Sequence, residues 1–265
     1  MNFSPSGDAV LDLLLAVCAV VIGACLGSFA NVLIHRLPRN LDWVRSRSCC
    51  PGCQSPVHWY DNIPLLSWLL LRGHCRACGA SISPRYFLVE LAGALCGLVG
   101  LWRFGPSLAG LAALLFLIDL IAVALIDWEH MIIPHTLTVG GMALGLSLAS
   151  WNGLGLQAAL LGLAVGAGLI LVLAYGYRLV RGQIGMGGGD VMLMGMVGAF
   201  LGAWGVVLVL FGGALFGSLY ALLQRRASLS AQSRLPFGTF LAAAAGIALL
   251  VGEPLQQWYV GLWTV

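Results

Sequence analysis

Two sets of residues in this sequence have the types and spacing to do chemistry. The first is four cysteines in two C-x2-C pairs, Cys50/Cys53 in "CCPGC" and Cys75/Cys78 in "CRAC", with 21 residues between Cys53 and Cys75. Such spacing supplies four thiolates to one tetrahedral zinc ion. The Pro-Gly and Arg-Ala fillers suit tight turns that aim two sulfurs at one point. A closed four-sulfur site is structural, and here it would fold a loop too small for a core of its own. Cys49 is left as a spare thiol. Cys18, Cys25 and Cys96 fall in apolar stretches and read as small packing residues, and His58 and His74 rank below the four sulfurs as ligands.

The second set is acidic. Asp119, Asp127 and Asp190 lie within or at the ends of apolar stretches, where a carboxylate at mid-bilayer costs roughly 2.5–3.5 kcal/mol. Asp127 stands in "IDWEHMIIP", and Asp190 follows "GMGGG" and opens "VMLMGMVGAFLG". When two carboxyls face each other, one holds a proton while the other stays charged. That pair can activate a water and protonate a leaving amine, which is the chemistry of aspartic proteolysis. Gly187, Gly188 and Gly189 leave the backbone before Asp190 bare and give an extended peptide room to approach. The competing reading is a loop ending in an interfacial N-cap Asp. Asp119 precedes Asp127 by eight residues, about 12 Å along a helix and rotated from it by roughly 80°. It is expected to face a buried polar partner and to serve structure. Glu129 and His130 read as solvated loop residues.

These side chains need elements to hold them. The chain of 265 residues is 60% hydrophobic and 9% charged, far below the roughly 25% charged residues of soluble domains. Apolar runs recur throughout, near 9–33, 86–102, 107–127, 136–151, 155–177, 190–202, 204–223 and 237–252. Each is read as a membrane span, which needs about 20 residues when helical. The expected fold is an all-α polytopic membrane protein of about eight transmembrane helices. Three regions follow: a first helix over 1–33, a cytoplasmic zinc-ribbon-like loop domain over 34–85, and a seven-helix membrane domain over 86–265.

Charge sets the expected orientation. All thirteen basic residues are arginine, and twelve fall in loops 34–85, 128–135, 178–189 and 224–236, leaving only Arg103 elsewhere. The positive-inside rule then puts the N-terminus outside and both Asp127 and Asp190 at the cytoplasmic face. In the reducing cytoplasm the four cysteines are metal ligands, not disulfides. A net charge of +3 is too small to argue for nucleic acid.

The stretches "GSFANVLIHRLP", "SRSCCPGC", "WYDNIPLLSWLLLRGHCRACG", "ISPRYFLVEL", "IDWEHMIIP", "GMGGGD" and "PFGTFLA", in this order, resemble the type IV prepilin peptidase family. Gly187–Asp190 also fits the G-x-G-D signature of presenilin-type aspartic membrane proteases. The resemblance implies that Asp127 and Asp190 are the catalytic pair. It implies cleavage of a prepilin or pseudopilin leader after a glycine, at the cytoplasmic face of the bacterial inner membrane. It further implies N-methylation of the new N-terminus, usually Phe, from S-adenosylmethionine, with the cysteine loop as the methyltransferase part.

The family pattern has two departures here. His135 stands where an acid is common, and Met192 where a lysine is common, so that a positive charge beside Asp190 is missing. No glycine-rich nucleotide fingerprint marks a donor site. Trp59, Tyr60, Asp61 and Asn62 are the donor candidates, with Asp61 suited to a ribose hydroxyl; the alternative is a loop anchor whose aromatics sit at the membrane interface. Among the few acids of the inner loops, Glu129 is the best placed to meet a basic leader. Three rival readings are a peptidase without methyltransferase activity, an inactive zinc-ribbon scaffold, and a proton-coupled transporter, for which the expected internal repeat is absent.

Overall fold

The computed structural model describes residues 8–151, 153–182, 186–226 and 235–262. Gly185 of the glycine-rich stretch and Arg234 of the last inner loop lie outside them. Eight helices follow in order: α1 (Ala9–Arg36), α2 (Leu66–Leu70), α3 (Pro84–Phe104), α4 (Leu108–His130), α5 (His135–Leu148), α6 (Leu156–Arg181), α7 (Gly188–Arg226) and α8 (Phe237–Gly261). Among the described residues there is no strand, only two isolated bridges, Cys49 with Pro56 and His74 with Ser81. Six helices, α1, α3, α4, α6, α7 and α8, are long and apolar enough to cross a membrane.

The eight apolar stretches expected from sequence are all helical, but not all are equal. α5 has 14 residues, or about 21 Å at helical rise, short of a full span. The stretches expected at 190–202 and 204–223 are the two legs of α7, which breaks at Gly202 (φ 68°, ψ −176°). The chain turns back there. A Cβ on Gly166 of α6 would meet both the Met194 carbonyl and, at 3.2 Å, Val206 Cγ2. In an unbroken helix those two residues would stand about 18 Å apart. Positive φ is the reason for glycine at the turn.

The chain divides into two compact units, Met1–Ile118 and Asp119–Val265, with the boundary inside α4. In the first, α1 and α3 meet through glycines, since a Cβ on Gly27 would lie 2.7 Å from the Val89 carbonyl oxygen. Helix starts follow local chemistry. Ser83 caps α3 by accepting from the Arg85 amide, with Pro84 at the first position, and Ser107 Oγ accepts from Gly110 N at 3.2 Å to open α4. Between α1 and α3, Arg36 ties the loop to the helix end, donating to the carbonyls of Asp42, Ser46 and Arg47 at 3.2, 2.8 and 3.0 Å. In the second unit, Leu193, Met194, Met196 and Val197 are fully buried. From Leu193 to Phe200 the first leg of α7 is thus apolar and buried all round, the pattern of a central helix.

Candidate active site and metal centre

The four predicted cysteines come together in the first unit. The Sγ atoms of Cys50, Cys53, Cys75 and Cys78 all lie within 4.8 Å of one another, and Cys50 Sγ and Cys78 Sγ are 3.8 Å apart. Tetrahedral Zn–S bonds of about 2.3 Å put sulfurs nearly that far apart, so the donor set suits zinc. Each pair sits on the same kind of turn. Gln54 N donates to Cys50 O at 2.9 Å, and Gly79 N to Cys75 O at 2.9 Å. Gln54 and Gly79 both take positive φ, 57° and 70°. Ser55 Oγ lies 2.9 Å from Cys53 Sγ, a hydrogen bond that favours the thiolate form of that one sulfur.

The other sulfur and imidazole candidates stay outside the cluster. Cys49 Sγ faces Gln54 Oε1 at 3.5 Å, His74 Nδ1 lies 2.7 Å from the Arg72 carbonyl oxygen, and His58 stacks on Tyr60 at 5.2 Å. Asp61 is already engaged. Its carboxylate accepts from Arg76 Nε at 3.0 Å and Nη2 at 2.7 Å, which holds it below the ordinary carboxylate range. Arg76 also lies 5.7 Å from the centre of the Tyr60 ring.

The acids converge in the second unit. Asp127 lies in the last turn of α4 and is 6% exposed. Its Oδ2 accepts from Thr239 N at 2.8 Å and from Thr239 Oγ1 at 3.3 Å. Thr239 lies in the first turn of α8, so Asp127 meets the free amides at that helix's N-terminus, where negative charge is favoured. Asp190 is not the N-cap of α7 but its third residue. Its Oδ2 accepts from Gly187 N at 3.0 Å while its own amide donates to Gly187 O at 3.2 Å, so the side chain supplies the N3-to-N-cap half of a capping box.

Ile133 joins the two turns. A Cβ on Gly189 would sit 2.8 Å from Ile133 Cβ; one on Gly238 would sit 2.6 Å from Ile133 Cδ1 and 3.0 Å from Asp127 Oδ2. The three glycines before Asp190 therefore differ. Gly187 supplies an amide, Gly189 avoids a clash, and Gly188 has open space around it. Beside Thr239, Tyr220 lies between Trp128 and Phe240, with ring centres 5.5 and 5.4 Å away.

Three residues of this site were not singled out in the sequence: Gly238, Thr239 and Ile133. The stretch "PFGTFLA" carried the family resemblance but no chemical signal, because an amide donor has no side-chain signature. Asp119 corrects an expectation. Its Oδ2 is buried without a hydrogen-bond partner, against the Gly141 backbone, where a Cβ would lie 2.8 Å away. Glu129 sits in the last turn of α4, not in a loop, with His130 Nε2 3.9 Å from its Oε2.

An α-helical membrane protein with two acids held at helix N-termini and a separate four-sulfur cluster is the class this architecture defines. Residues 21–104 match the bacterial peptidase A24 N-terminal domain, and residues 114–222 match the type IV leader peptidase family. A prepilin leader peptidase/N-methyltransferase of Stutzerimonas stutzeri is 38% identical over 92% of this chain and 93% of its own length. Proteins of the same name from Aeromonas salmonicida and Pseudomonas aeruginosa are 38% and 34% identical, over 89% and 92% of this chain and 90% and 92% of their own lengths. The chain belongs to the type IV leader peptidase family. No solved structure matches it significantly.

Proposed function

We propose that this enzyme cleaves the leader from type IV prepilins or pseudopilins, with Asp127 and Asp190 as the catalytic pair. The observation that carries this reading is that the two acids come from different helices whose turns meet around Ile133, packed against Gly189 next to Asp190 and against Gly238 next to Asp127, each acid with its Oδ2 fixed by a helix-terminal amide. Donors that hold one oxygen of each carboxyl fix its orientation before substrate arrives. One carboxyl, charged, takes a proton from the attacking water; the other, protonated, hands a proton to the leaving amine. Leader cleavage after a glycine, at the cytoplasmic face of the bacterial inner membrane, follows from the family resemblance and from the distribution of arginines.

The reading includes methylation of the new N-terminus, supported by the names of the relatives. S-adenosylmethionine would supply the methyl group. Zn2+ held by Cys50, Cys53, Cys75 and Cys78 would fold the loop. Asp61, the candidate for a donor ribose, is held in place by Arg76, which contacts both its oxygens.

The test is cleavage of a prepilin-type peptide, with its apolar helix, by purified protein in detergent, followed by mass spectrometry of the product N-terminus. Wild type is expected to cut, and Asp127→Asn and Asp190→Asn to be inert while remaining folded with metal bound. Turnover by either variant would make that aspartate structural.

A further inference from the structure

α2 is built inside out for a helix in water. Leu66, Leu69 and Leu70, at i, i+3 and i+4, share one face and are 57%, 53% and 82% exposed. Its polar residue, Ser67, is buried instead. The Ser67 hydroxyl donates to Tyr60 O at 3.0 Å and accepts from Ile63 N at 3.0 Å. A helix that satisfies its hydroxyl inside and turns three leucines outward is arranged for an apolar surrounding.

Its height along α3 says which surrounding. The Trp68 ring lies 5.1 Å from that of Phe87, and Trp68 Nε1 donates to Ile82 O at 3.3 Å. Just before α2, Leu65 N donates to Glu90 Oε2 at 2.7 Å. Glu90 is six residues into α3, a candidate membrane span, which is about 9 Å along its axis. Helical side chains lean toward the N-terminus, so α2 lies beside the first two turns of α3. Leu88, Leu91 and Leu95 of α3, exposed on that same helix, continue the apolar surface deeper. Arg72, exposed, follows α2 directly, where its guanidinium can reach lipid headgroups.

The link to Glu90 holds an unusual backbone. Leu65 takes φ 64°, ψ −52°, and Leu66 N donates to Pro64 O at 2.7 Å. This is a γ-turn of the rare, strained kind, and it aims the Leu65 amide at the carboxylate.

We infer that α2 is a membrane-seated element: its Leu66/Leu69/Leu70 face lies in the lipid at the acyl–headgroup boundary, and Glu90 is the positioning residue that holds it there through the Leu65 amide. The loop carrying the cysteine cluster is then moored to the bilayer at a third point besides α1 and α3. This does not depend on the chemistry proposed for Asp127 and Asp190.

The test uses the full chain in native membranes with a photoreactive p-benzoylphenylalanine in place of Leu70, and in a control in place of Ser46, which is exposed in the same loop. After irradiation, mass spectrometry is expected to find at least about fivefold more lipid adduct at 70 than at 46, as for a side chain at the acyl boundary against one in water. Equal yields, or a polypeptide adduct at 70 in place of lipid, would overturn the inference. Glu90→Leu, which removes the acceptor, is expected to lower the adduct at 70 several-fold with bound zinc unchanged, whereas Glu90→Gln keeps an acceptor and most of the yield. An unchanged yield in Glu90→Leu overturns the role of Glu90. Should that variant fail to fold, the comparison of positions 70 and 46 in the otherwise unaltered chain still decides whether α2 meets lipid.

Discussion

Thr239 holds Asp127 from two atoms: its amide donates to Oδ2 at 2.8 Å, and its hydroxyl shares one proton between the same oxygen at 3.3 Å and the Ala124 carbonyl oxygen at 2.9 Å. The amide would survive most substitutions; the hydroxyl would not. Thr239→Val is expected to lower kcat by about tenfold, the scale of one hydrogen bond to a charged group, with KM little changed. Thr239→Ser should restore most of the rate. Steady-state cleavage of a prepilin-type peptide checks both, and equal rates for Val and Thr at 239 would count against an orienting role.

Gly238 is the tightest point of the site. Gly238→Ala would put a methyl 3.0 Å from Asp127 Oδ2 and 2.6 Å from Ile133 Cδ1. Cleavage is expected to fall sharply in a protein that keeps its metal and helical content. Ile133→Val removes the Cδ1 atom, so the double variant Gly238→Ala/Ile133→Val should recover part of the loss. Neighbouring substitutions couple, and a double-mutant cycle measures that coupling. Strict additivity of the two changes would mean that the methyl acts elsewhere.

Asp119 should behave unlike Asp127. Its buried oxygen has no hydrogen-bond partner, so exchanging the carboxyl for a neutral carboxamide of the same shape removes the cost of a buried charge without breaking a network. Asp119→Asn is therefore expected to cleave at near the wild-type rate, with unchanged or slightly raised thermal stability in detergent. Loss of turnover comparable to that of Asp127→Asn would bring Asp119 into the chemistry.

Asp61 and Arg76 form one unit. Arg76 stands between Cys75 and Cys78 of the four-sulfur cluster, and its pair with Asp61 is bidentate. Asp61→Ala and Arg76→Ala should speed zinc loss to a chelator by the same factor, a few-fold, since a pair with a well-exposed partner contributes only about 0–1 kcal/mol. The double variant should lose no more than either single one. If Asp61→Ala abolished methylation while Arg76→Ala did not, Asp61 would have a role in donor binding besides the ion pair.

The outcome for particular residues shows what the sequence determined alone. Apolar runs near the length of a bilayer crossing identified every long helix, because a helix satisfies its own backbone and so its composition is enough. The C-x2-C pairs identified the four-sulfur cluster for a similar reason: each pair is a local turn, and Gln54 and Gly79 close the two turns in the same way. The acids Asp127 and Asp190 were visible because charge in an apolar stretch is costly wherever it packs.

What the tertiary structure decided is partnership at a distance. Thr239 reaches Asp127 across 112 residues, and nothing in the periodicity of either helix encodes that meeting. The same holds for Ile133 filling the space left by Gly189 and Gly238, and for Glu90, an ordinary acid near the start of a span until the Leu65 amide is found on it. Asp190 is the clearest case. Its sequence allowed a helix cap or a catalytic acid, and the fold shows one carboxylate that closes its own helix start in a turn that meets the Asp127 site through Ile133. Local chemistry chooses which residues can act; only packing chooses which of them meet.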